Sequence, residues 1–456
     1  MDYKLIDGKW PLEGFVDQTD AKAGFKWGYV GLGQGGGKMV DAFASIKNPK
    51  TGEQIYPCIV ANSNLGDMAN LKNIPARLKF GMEGFENGVG KDPEVGEQAF
   101  LGSGEKIFEA IANEMGDCQM ILVVASLGGG TGTGAINVLV DAIISYLGIP
   151  AIAATSLPIP NEIESRNAYN ALNNLVEKFA LTYDEEQDRH YRKLESLIIL
   201  DNDKIIKEHL TEPEVTGLTW DYYSNYKLAS ILHEWSVLTS LGSDFTVDVA
   251  DLMNHILTGG GVLTFAKKKI NLDEFKNNED LIQEIVSTYR GKNVLANGFN
   301  YEKDMRSMAL VVVMPKGKAD LLNQDTLERI RGKIKESLPN VNFYPGSVTN
   351  NSARHAIVYT MASMAGLPER ARNLRDEAQA LYDQRIESEK SATGFNMGDK
   401  LNIGSPKPSI ISGSAPGMKK GNPFAQKEVS ATAEGKKEAV KQAGNLFKNL
   451  AAKKPN

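Results

Sequence analysis

Cysteine, histidine and long apolar runs are all scarce in this chain of 456 residues. Two cysteines, Cys58 and Cys118, permit at most one disulfide and are typical of buried thiols in a reducing compartment. The five histidines lack the spacing of a zinc site. No apolar run approaches the roughly 20 residues that a membrane span needs, and the polar N-terminal segment does not resemble a signal peptide. We therefore expect a soluble intracellular protein.

Excess positive charge is also absent, except towards the C-terminus. The formal net charge of −6 argues against general coating of nucleic acid. Residues 391–456 nevertheless hold eleven lysines and four acidic residues, a net charge of +7 against −13 elsewhere. Gly, Ser and Pro in the first half predict a flexible tether, and 431–454 favours a helix that carries Val440, Leu446, Phe447 and Leu450. Two interpretations stay open, a solubilising tether or an arm that docks an adaptor or a polyanion.

Glycine, by contrast, is concentrated between a strand and a helix. Five glycines and two threonines follow the apolar run Met120–Ala125 and precede the helix-like segment Ala135–Leu147. Glycine lets backbone N–H groups approach an anion, and the helix N-terminus adds a partial positive charge. An ordinary turn needs only one or two glycines. The pattern predicts a phosphate cradle made of Gly128, Gly129, Gly130, Thr131, Gly132, Thr133 and Gly134.

A second glycine cluster follows the predicted strand Phe25–Val30. The G-x-G-x-x-G pattern of nicotinamide and flavin enzymes is formally met by Gly31, Gly33 and Gly36. That class also needs an acid after the second strand, where this chain has Asn62-Ser-Asn64. A P-loop does not fit, since Leu32 and Met39 stand where it needs glycine and a hydroxyl residue. Two phosphate loops of neither type predict a different nucleotide site, with further contacts from Gly33, Gln34, Gly35, Gly36 and Lys38.

Alternating apolar and helical segments predict an α/β fold. Strand-like runs and helices alternate up to about residue 220, which is typical of a doubly wound, mostly parallel sheet with its site at the carboxyl ends of the strands. A long helix at Tyr222–Leu241 leads to a second, smaller α/β unit and a charged helix at Leu367–Lys390. The predicted division is an extension 1–24, a nucleotide domain 25–221, a central helix 222–242, a C-terminal domain 243–365, a helix 366–390 and a flexible basic tail 391–456.

Several segments together carry a family resemblance. Gly128–Gly134 resembles the signature of the tubulin/FtsZ superfamily, and Gly31–Gly37 resembles its first phosphate loop. Asn62-Ser-Asn64 and Gly90–Gly96 are similar to its second loop and to its loop near the γ-phosphate. The resemblance spans about residues 25–365 and is greatest to the TubZ-type plasmid and phage segregation tubulins. It implies GTP and GDP as ligands, with Mg²⁺ held through phosphates and water.

The resemblance also assigns contacts residue by residue. It implies phosphate contacts from Asn62, Asn64, Gly90, Asp92 and Pro93, ribose contacts from Pro158, Glu162 and Arg166, and guanine contacts from Asn202 and Asn225. An ion pair between Glu162 and Arg166 on one helix face is the alternative for that pair. The chain departs from the family pattern at four places. The family has Asn where this chain has Lys38 and Thr246, and it has Asp where this chain has Asn64 and Tyr226.

Hydrolysis of a terminal phosphoanhydride needs charge stabilisation and an oriented water molecule. In sequence, no carboxylate stands beside the chain's own phosphate loops. The resemblance implies that Asp251 orients or polarises the water on the neighbouring subunit's nucleotide, while Asp248 supports it near the metal. An N-cap of the helical run Val249–Leu257 is the alternative for Asp248. A site completed by the next subunit requires a head-to-tail contact, which propagates into an open filament.

The expected function is therefore that of a polymerisation-activated GTPase that forms dynamic cytomotive filaments in the bacterial cytoplasm. We expect it to segregate plasmid or phage DNA through an adaptor–DNA complex bound by the C-terminal tail. The alternatives are an FtsZ-like filament for cell division or phage DNA positioning, and a structural filament that hydrolyses GTP weakly.

Overall fold

The computed structural model describes residues 23–48, 51–184, 188–211, 219–241, 247–275, 277–291, 293–350, 353–391 and 433–452. Most of the predicted N-terminal extension, most of the predicted tail and Thr246 lie outside these residues. Among the helices that are described, none is long and apolar enough to cross a membrane.

The chain alternates strands and helices over most of its length. The strands are β1 Trp27–Leu32, β2 Cys58–Asn62, β3 Lys79–Gly81, β4 Met120–Ser126, β5 Ala151–Leu157, β6 Thr182–Asp184, β7 Arg189–Tyr191, β8 Ser196–Asp201, β9 Gly261–Ile270, β10 Met305–Pro315, β11 Asn342–Asn350 and β12 Ala356–Met364. The α-helices are α1 Gly33–Ala44, α2 Leu65–Ala69, α3 Pro93–Met115, α4 Thr131–Ala142, α5 Glu162–Glu177, α6 Asn202–Thr211, α7 Trp220–Leu238, α8 Val249–Leu252, α9 Asn278–Gly291, α10 Tyr301–Asp304, α11 Gln324–Ser337, α12 Glu369–Ser391 and α13 Ala433–Ala452.

One sheet joins ten of these strands in the order β11-β10-β12-β9-β8-β5-β4-β1-β2-β3. Neighbours from β9 to β3 are parallel, and β12 runs antiparallel to both β9 and β10. The inner strands are mostly apolar and are buried except at Ser126, the last residue of β4, as a sheet covered on both faces requires. The predicted mostly parallel α/β class is confirmed, and the two predicted units share a continuous sheet.

The central helix α7 runs from the carboxyl ends of the sheet strands to their amino ends. It buries 15 of its 19 residues and spans about 28 Å at 1.5 Å per residue. Two of its buried polar side chains have partners from other elements: His233 Nδ1 lies 2.9 Å from the hydroxyl of Tyr56, and Glu234 Oε1 lies 2.9 Å from Lys267 Nζ. A helix without a solvent-facing side needs such partners, because an unpaired buried polar group is costly.

The segment before β9 lies at the amino edge of the sheet, opposite the glycine loops. Gly261, the first residue of β9, pairs in parallel with Ser196, the first residue of β8. The helix α8 and a π-helical turn at Met253–Leu257 come directly before it. Gly260 has a positive φ of 67°, a conformation that glycine adopts without strain, and it lies in the tight turn that leads into β9.

The C-terminal helix α13 packs against α3, which corrects one expectation. Ala439, Ala443 and Phe447 lie four residues apart, and all three are buried. This spacing places them on one helical face, which covers apolar surface of α3. The helix predicted over 431–454 is therefore confirmed for 433–452, whereas the expectation of a flexible tail over all of 391–456 is wrong for those residues. The remainder of that segment lies outside the described residues.

Candidate nucleotide-binding site

The two glycine loops follow β1 and β4, which are adjacent parallel strands. The loops therefore meet at the carboxyl ends of the strands, which we call the carboxyl edge of the sheet. Gly33 has a φ of 68°, and a β-carbon there would stand 2.9 Å from the backbone N of Gly132. A β-carbon on Gly36 would stand 2.1 Å from the carbonyl oxygen of Val124. These distances exclude any side chain, so several of the glycines are required for the two loops to pack together.

The Gly90–Gly96 segment packs onto the same place. A β-carbon on Gly96 would stand 2.3 Å from the carbonyl oxygen of Gly130, and one on Gly134 would stand 2.1 Å from that of Pro93. Asp92 caps α3 by accepting a hydrogen bond from the N–H of Glu94 at 2.9 Å. The structure therefore brings together the three loops that the sequence assigned to phosphate.

The open side of this cluster can accept an anion. As far as the described residues go, α1 and α4 begin without a side-chain cap and without an acid in the first turn. No described atom would lie within 4 Å of a β-carbon on Gly129 or Gly90. Thr131 and Thr133 lie at the start of α4, and the Thr131 hydroxyl lies 2.7 Å from that of Ser63. Two uncapped helix N-termini beside open glycine backbone fit a chain of phosphates.

A carboxylate that the sequence analysis missed lies beside these loops. Asp67 accepts hydrogen bonds from Gln34 Nε2 at 2.9 Å and from Asn62 Nδ2 at 3.4 Å. Asn64 Oδ1 accepts from the N–H of Asp67 at 3.2 Å and caps α2. The Asn-x-x-Asp spacing of a capped helix was the available signal. The expectation that no carboxylate stands beside the loops is therefore wrong for Asp67.

The ribose side of the predicted site is held by a second residue that sequence reasoning missed. Arg370 of α12 donates to the carbonyl of Pro158 at 2.6 Å, to Asp201 Oδ1 at 2.7 Å and to Glu377 Oε2 at 3.0 Å. Burial lowers the pKa of Arg370, but hydrogen bonds to Glu377 and Asp201 outweigh it and raise that pKa overall. The ends of β5 and β8 are thereby fixed relative to α12.

The predicted ribose pair Glu162 and Arg166 is not joined. Glu162 forms an ion pair with Arg385 Nε of α12 at 2.5 Å. Arg166 is exposed and has no acidic partner among the residues that the structure describes. The alternative helix-face ion pair is therefore absent from the described chain, and the ribose role stays a prediction.

The residues predicted to read the base lie near each other. Asn202 Oδ1 accepts a hydrogen bond from Ser224 Oγ at 3.2 Å, and Asn225 is the next, buried residue of α7. Lys38 of α1 forms an ion pair with Asp221 Oδ2 at 3.1 Å. Burial opposes ionisation of Asp221, but hydrogen bonds from Thr219 and Lys38 outweigh it and lower the pKa of that carboxyl.

The two predicted catalytic aspartates lie at the other edge of the sheet. Asp248 Oδ1 accepts a hydrogen bond from the N–H of Asp251 at 2.7 Å, so the N-cap interpretation of Asp248 is confirmed. Asp251 lies near Tyr344, whose pKa is raised by burial and raised further by the charge of Asp251. Both aspartates are separated from the phosphate loops by the length of a sheet strand, which is about 20 Å for six residues. One subunit does not bring them together with its own cradle.

Metal-ligating side chains do not cluster in the described ranges, which contain no group of three or more His, Cys, Asp or Glu able to hold an ion. Asp67 and the hydroxyls of Thr131 and Ser63 are among the oxygen donors beside the glycine loops. Oxygen donors of this kind fit Mg²⁺ that is bound chiefly by phosphates and water.

Two family models match the chain. Residues 28–183 match the tubulin/FtsZ family GTPase domain, and residues 234–375 match the C-terminal domain of tubulin/FtsZ-like proteins of the TubZ-like type. The chain belongs to the tubulin/FtsZ family. The predicted phosphate cradle lies within the first match, and Asp248 and Asp251 lie within the second.

Relatives within the tubulin/FtsZ family cover most of the chain. The tubulin-like protein TubZ of Bacillus cereus is 26% identical over 400 residues, which are 83% of this chain and 88% of that protein. A GTPγS-form protofilament of Bacillus thuringiensis serovar israelensis TubZ has a TM-score of 0.71 at 23% identity and covers 82% of this chain and 96% of its own. A type III plasmid segregation TubZ has a TM-score of 0.65 at 23% identity, and the match covers 81% of this chain and 95% of that one.

Proposed function

We propose that this protein hydrolyses GTP at the contacts of a head-to-tail filament. The observation that carries the proposal is the division of the site: the cradle Gly128–Gly134 lies at the carboxyl edge of the sheet, and Asp251 lies at the amino edge. A second copy stacked in the same orientation presents its amino edge to the first copy's cradle. Such a contact is heterologous, so it repeats into a filament rather than closing a dimer.

The cradle's own residues bind the nucleotide. The N–H groups of the glycine loops and the N-termini of α1 and α4 donate to phosphate oxygens, and Thr131 and Thr133 add hydroxyl donors. Asn202 and Asn225 face the guanine, and Pro158 with Glu162 and Arg166 borders the ribose. Mg²⁺, when bound, neutralises charge on the β- and γ-phosphates.

The neighbouring subunit orients the attacking water. In this proposal the Asp251 carboxylate accepts a hydrogen bond from the water, whose oxygen then attacks the γ-phosphorus. The bond from the γ-phosphorus to the bridging oxygen breaks, and the products are GDP and phosphate. Asp248 holds α8 in place through its cap, because its carboxylate accepts from the N–H of Asp251 at 2.7 Å. Asp248 is thus a positioning residue as well as a helix cap.

Exposed apolar side chains at the carboxyl edge support such a contact. Large hydrophobic side chains that follow β2 and β5 or begin α7 are 37–48% exposed: Leu65, Ile159, Ile163 and Trp220. Apolar surface of this kind around a binding site is typical of a protein interface. Covering it with another copy contributes apolar burial that a monomer lacks.

We propose DNA segregation in the bacterial cytoplasm as the biological task. The fold likeness to a type III plasmid segregation TubZ motivates it, and the +7 charge of residues 391–456 suits an adaptor–DNA complex. Deletion of 391–456 should abolish salt-sensitive binding of such a complex. Binding that survives the deletion would contradict the role of the tail and favour a division or DNA-positioning filament.

The decisive experiment measures GTP turnover and pelleting together for the wild type and Asp251→Ala. We expect the variant to assemble with GTP but to lose at least 100-fold in turnover, since the water is no longer oriented. Asp273→Ala is the matched control, because Asp273 is an exposed acid that pairs with Lys318 away from α8. Undiminished turnover by Asp251→Ala filaments would contradict the assignment. A wild type that never assembles with GTP or GTPγS would contradict the filament.

A further inference from the structure

The C-terminal helix α13 lies across the far ends of the two helices that lead away from the phosphate loops. It packs along α3, whose first residue Pro93 touches the cradle. It also contacts the π-helical turn Ile143–Leu147, which continues α4 from its start at Thr131. One helix therefore bridges both elements that begin at the predicted γ-phosphate position.

The surface under α13 is shaped for it. Phe447 is 1% exposed and its ring packs edge-on against those of Phe100 and Phe108, with centroids 5.8 and 6.2 Å away. A β-carbon on Gly104 would stand 2.8 Å from the Phe447 ring, so the glycine makes room for it. Such complementarity is that of a packed core.

One turn before Phe447, a glycine of α13 makes room for a side chain of α3. A β-carbon on Gly444 would stand 2.8 Å from Glu105 Cδ and 3.0 Å from Glu105 Cγ. Lys448 Nζ forms an ion pair with the same carboxylate at 2.9 Å. Glycines on both helices thus allow a close crossing.

The cradle determines how α3 and α4 sit relative to each other. Gly96 and Gly134 are pressed against the backbone of Gly130 and Pro93, so the two helices touch at their first turns without intervening side chains. From Pro93 to Gly104 the rise along α3 is about 16 Å. A change at the γ-phosphate position that shifts these first turns therefore moves the surface under α13, because packed helices transmit displacement.

We propose that the surface of α3 and residues 143–147 is a regulatory docking site for α13, and that its occupancy is coupled to the bound nucleotide. The inference rests on the proposed function, since it needs GTP and GDP in the cradle. Coupling is reciprocal: if a nucleotide favours the docked helix, the docked helix favours that nucleotide by the same factor. The fraction of docked α13 then depends on the bound nucleotide, and a partner that binds the C-terminal segment can respond to that fraction.

The test uses a disulfide that closes only in the docked state. The double variant Glu105→Cys/Gly444→Cys places two thiols where the β-carbon of residue 444 lies beside Glu105 Cγ. We expect closure rates in a fixed redox buffer to differ by about 5-fold or more between GTPγS and GDP, the lower end of typical coupling. Glu105→Cys/Lys437→Cys is the matched control, since Lys437 is exposed. Native Cys58 and Cys118 are buried.

Reciprocity supplies the second measurement. Because reciprocity holds for equilibria, locking the helix by oxidation should shift the ratio of GTPγS to GDP affinity towards the nucleotide that speeds closure. Phe447→Ala should remove the difference in closure between nucleotides, because the ring that holds α13 is gone. Equal closure rates with both nucleotides bound, or equal affinities before and after oxidation, would overturn the coupling alone. A protein that binds neither nucleotide would overturn the proposed function and this inference with it.

Discussion

Gly33 and Gly132 are packed backbone to backbone, so that a β-carbon on Gly33 would stand 2.9 Å from the backbone N of Gly132. They belong to loops about 100 residues apart in sequence. The adjacency of β1 and β4 brings them together, and the absence of side chains lets them touch. Two loops that are each a weak nucleotide signal alone thereby become one cradle.

Gly132→Ala should lower both stability and nucleotide affinity. The new β-carbon would stand 2.7 Å from the carbonyl oxygen of Leu32 and 3.3 Å from Ala125 Cβ. Overpacking of this kind costs about 1–3 kcal/mol. Denaturant unfolding gives the stability, and titration with a fluorescent GTP analogue gives the affinity. Wild-type values in both measurements would contradict the packing of the two loops.

Gly129→Ala should separate the two effects. No described atom lies within 4 Å of a β-carbon at this position, so we expect stability to change by less than about 0.5 kcal/mol. The added methyl group enters the space where the phosphates are proposed to bind, and nucleotide affinity should fall at least 10-fold. The same two assays measure it. A variant that binds GTP as the wild type does would place the phosphates elsewhere.

The buried contact between His233 and Tyr56 makes stability fall in mild acid. Burial lowers the pKa of His233 to about 4, whereas the unfolded chain titrates near 6.5. Between these values the unfolded state binds more protons, so the free energy of unfolding falls as the pH drops from 6.5 to 4, by about 3 kcal/mol at most. His233→Gln should flatten this pH dependence in denaturant unfolding. Exposed His190 supplies the control, His190→Gln, and an unchanged slope in His233→Gln would contradict the assignment.

Arg370→Ala should destabilise the protein far more than Arg385→Ala. Arg370 is 13% exposed and pairs with Asp201, which is 12% exposed, so its loss leaves buried carboxylates unpaired. Breaking such a pair costs about 3 kcal/mol. Arg385 itself is 45% exposed and pairs with Glu162 at the surface of α12, so its loss should change the unfolding midpoint less. Equal shifts of the denaturant midpoint in the two variants would contradict this ranking.

Local pattern was enough to predict the fold class and the glycine loops. Strands such as β4 are continuous apolar runs between glycine-rich segments, and their positions depend on neighbours in sequence. The strand β9 was not predicted from the sequence, because it contains Lys267, Lys268 and Lys269. Lys267 is paired with buried Glu234. A lysine whose charge is paired with a carboxylate far away in sequence has the same local pattern as a lysine exposed to solvent.

The side chains missed at the site depend on contacts across long sequence separations. Asp67 reaches Gln34 over 33 residues, and Arg370 reaches Asp201 over 169. Neither pairing has a periodic signature. The docking of α13 was missed for the same reason: its apolar stripe was recognised, but the complementary groove exists only once Gly104 is placed opposite Phe447.

The continuous ten-stranded sheet has a mechanical consequence for the proposed filament. The strands run between the carboxyl and amino edges, which are the two ends joined to neighbouring subunits. Tension along the polymer therefore pulls on the ladders in shear, where all hydrogen bonds of a strand pair share the load, instead of unzipping them one at a time. A force-spectroscopy experiment on tethered filaments should break subunit contacts before it extends any subunit.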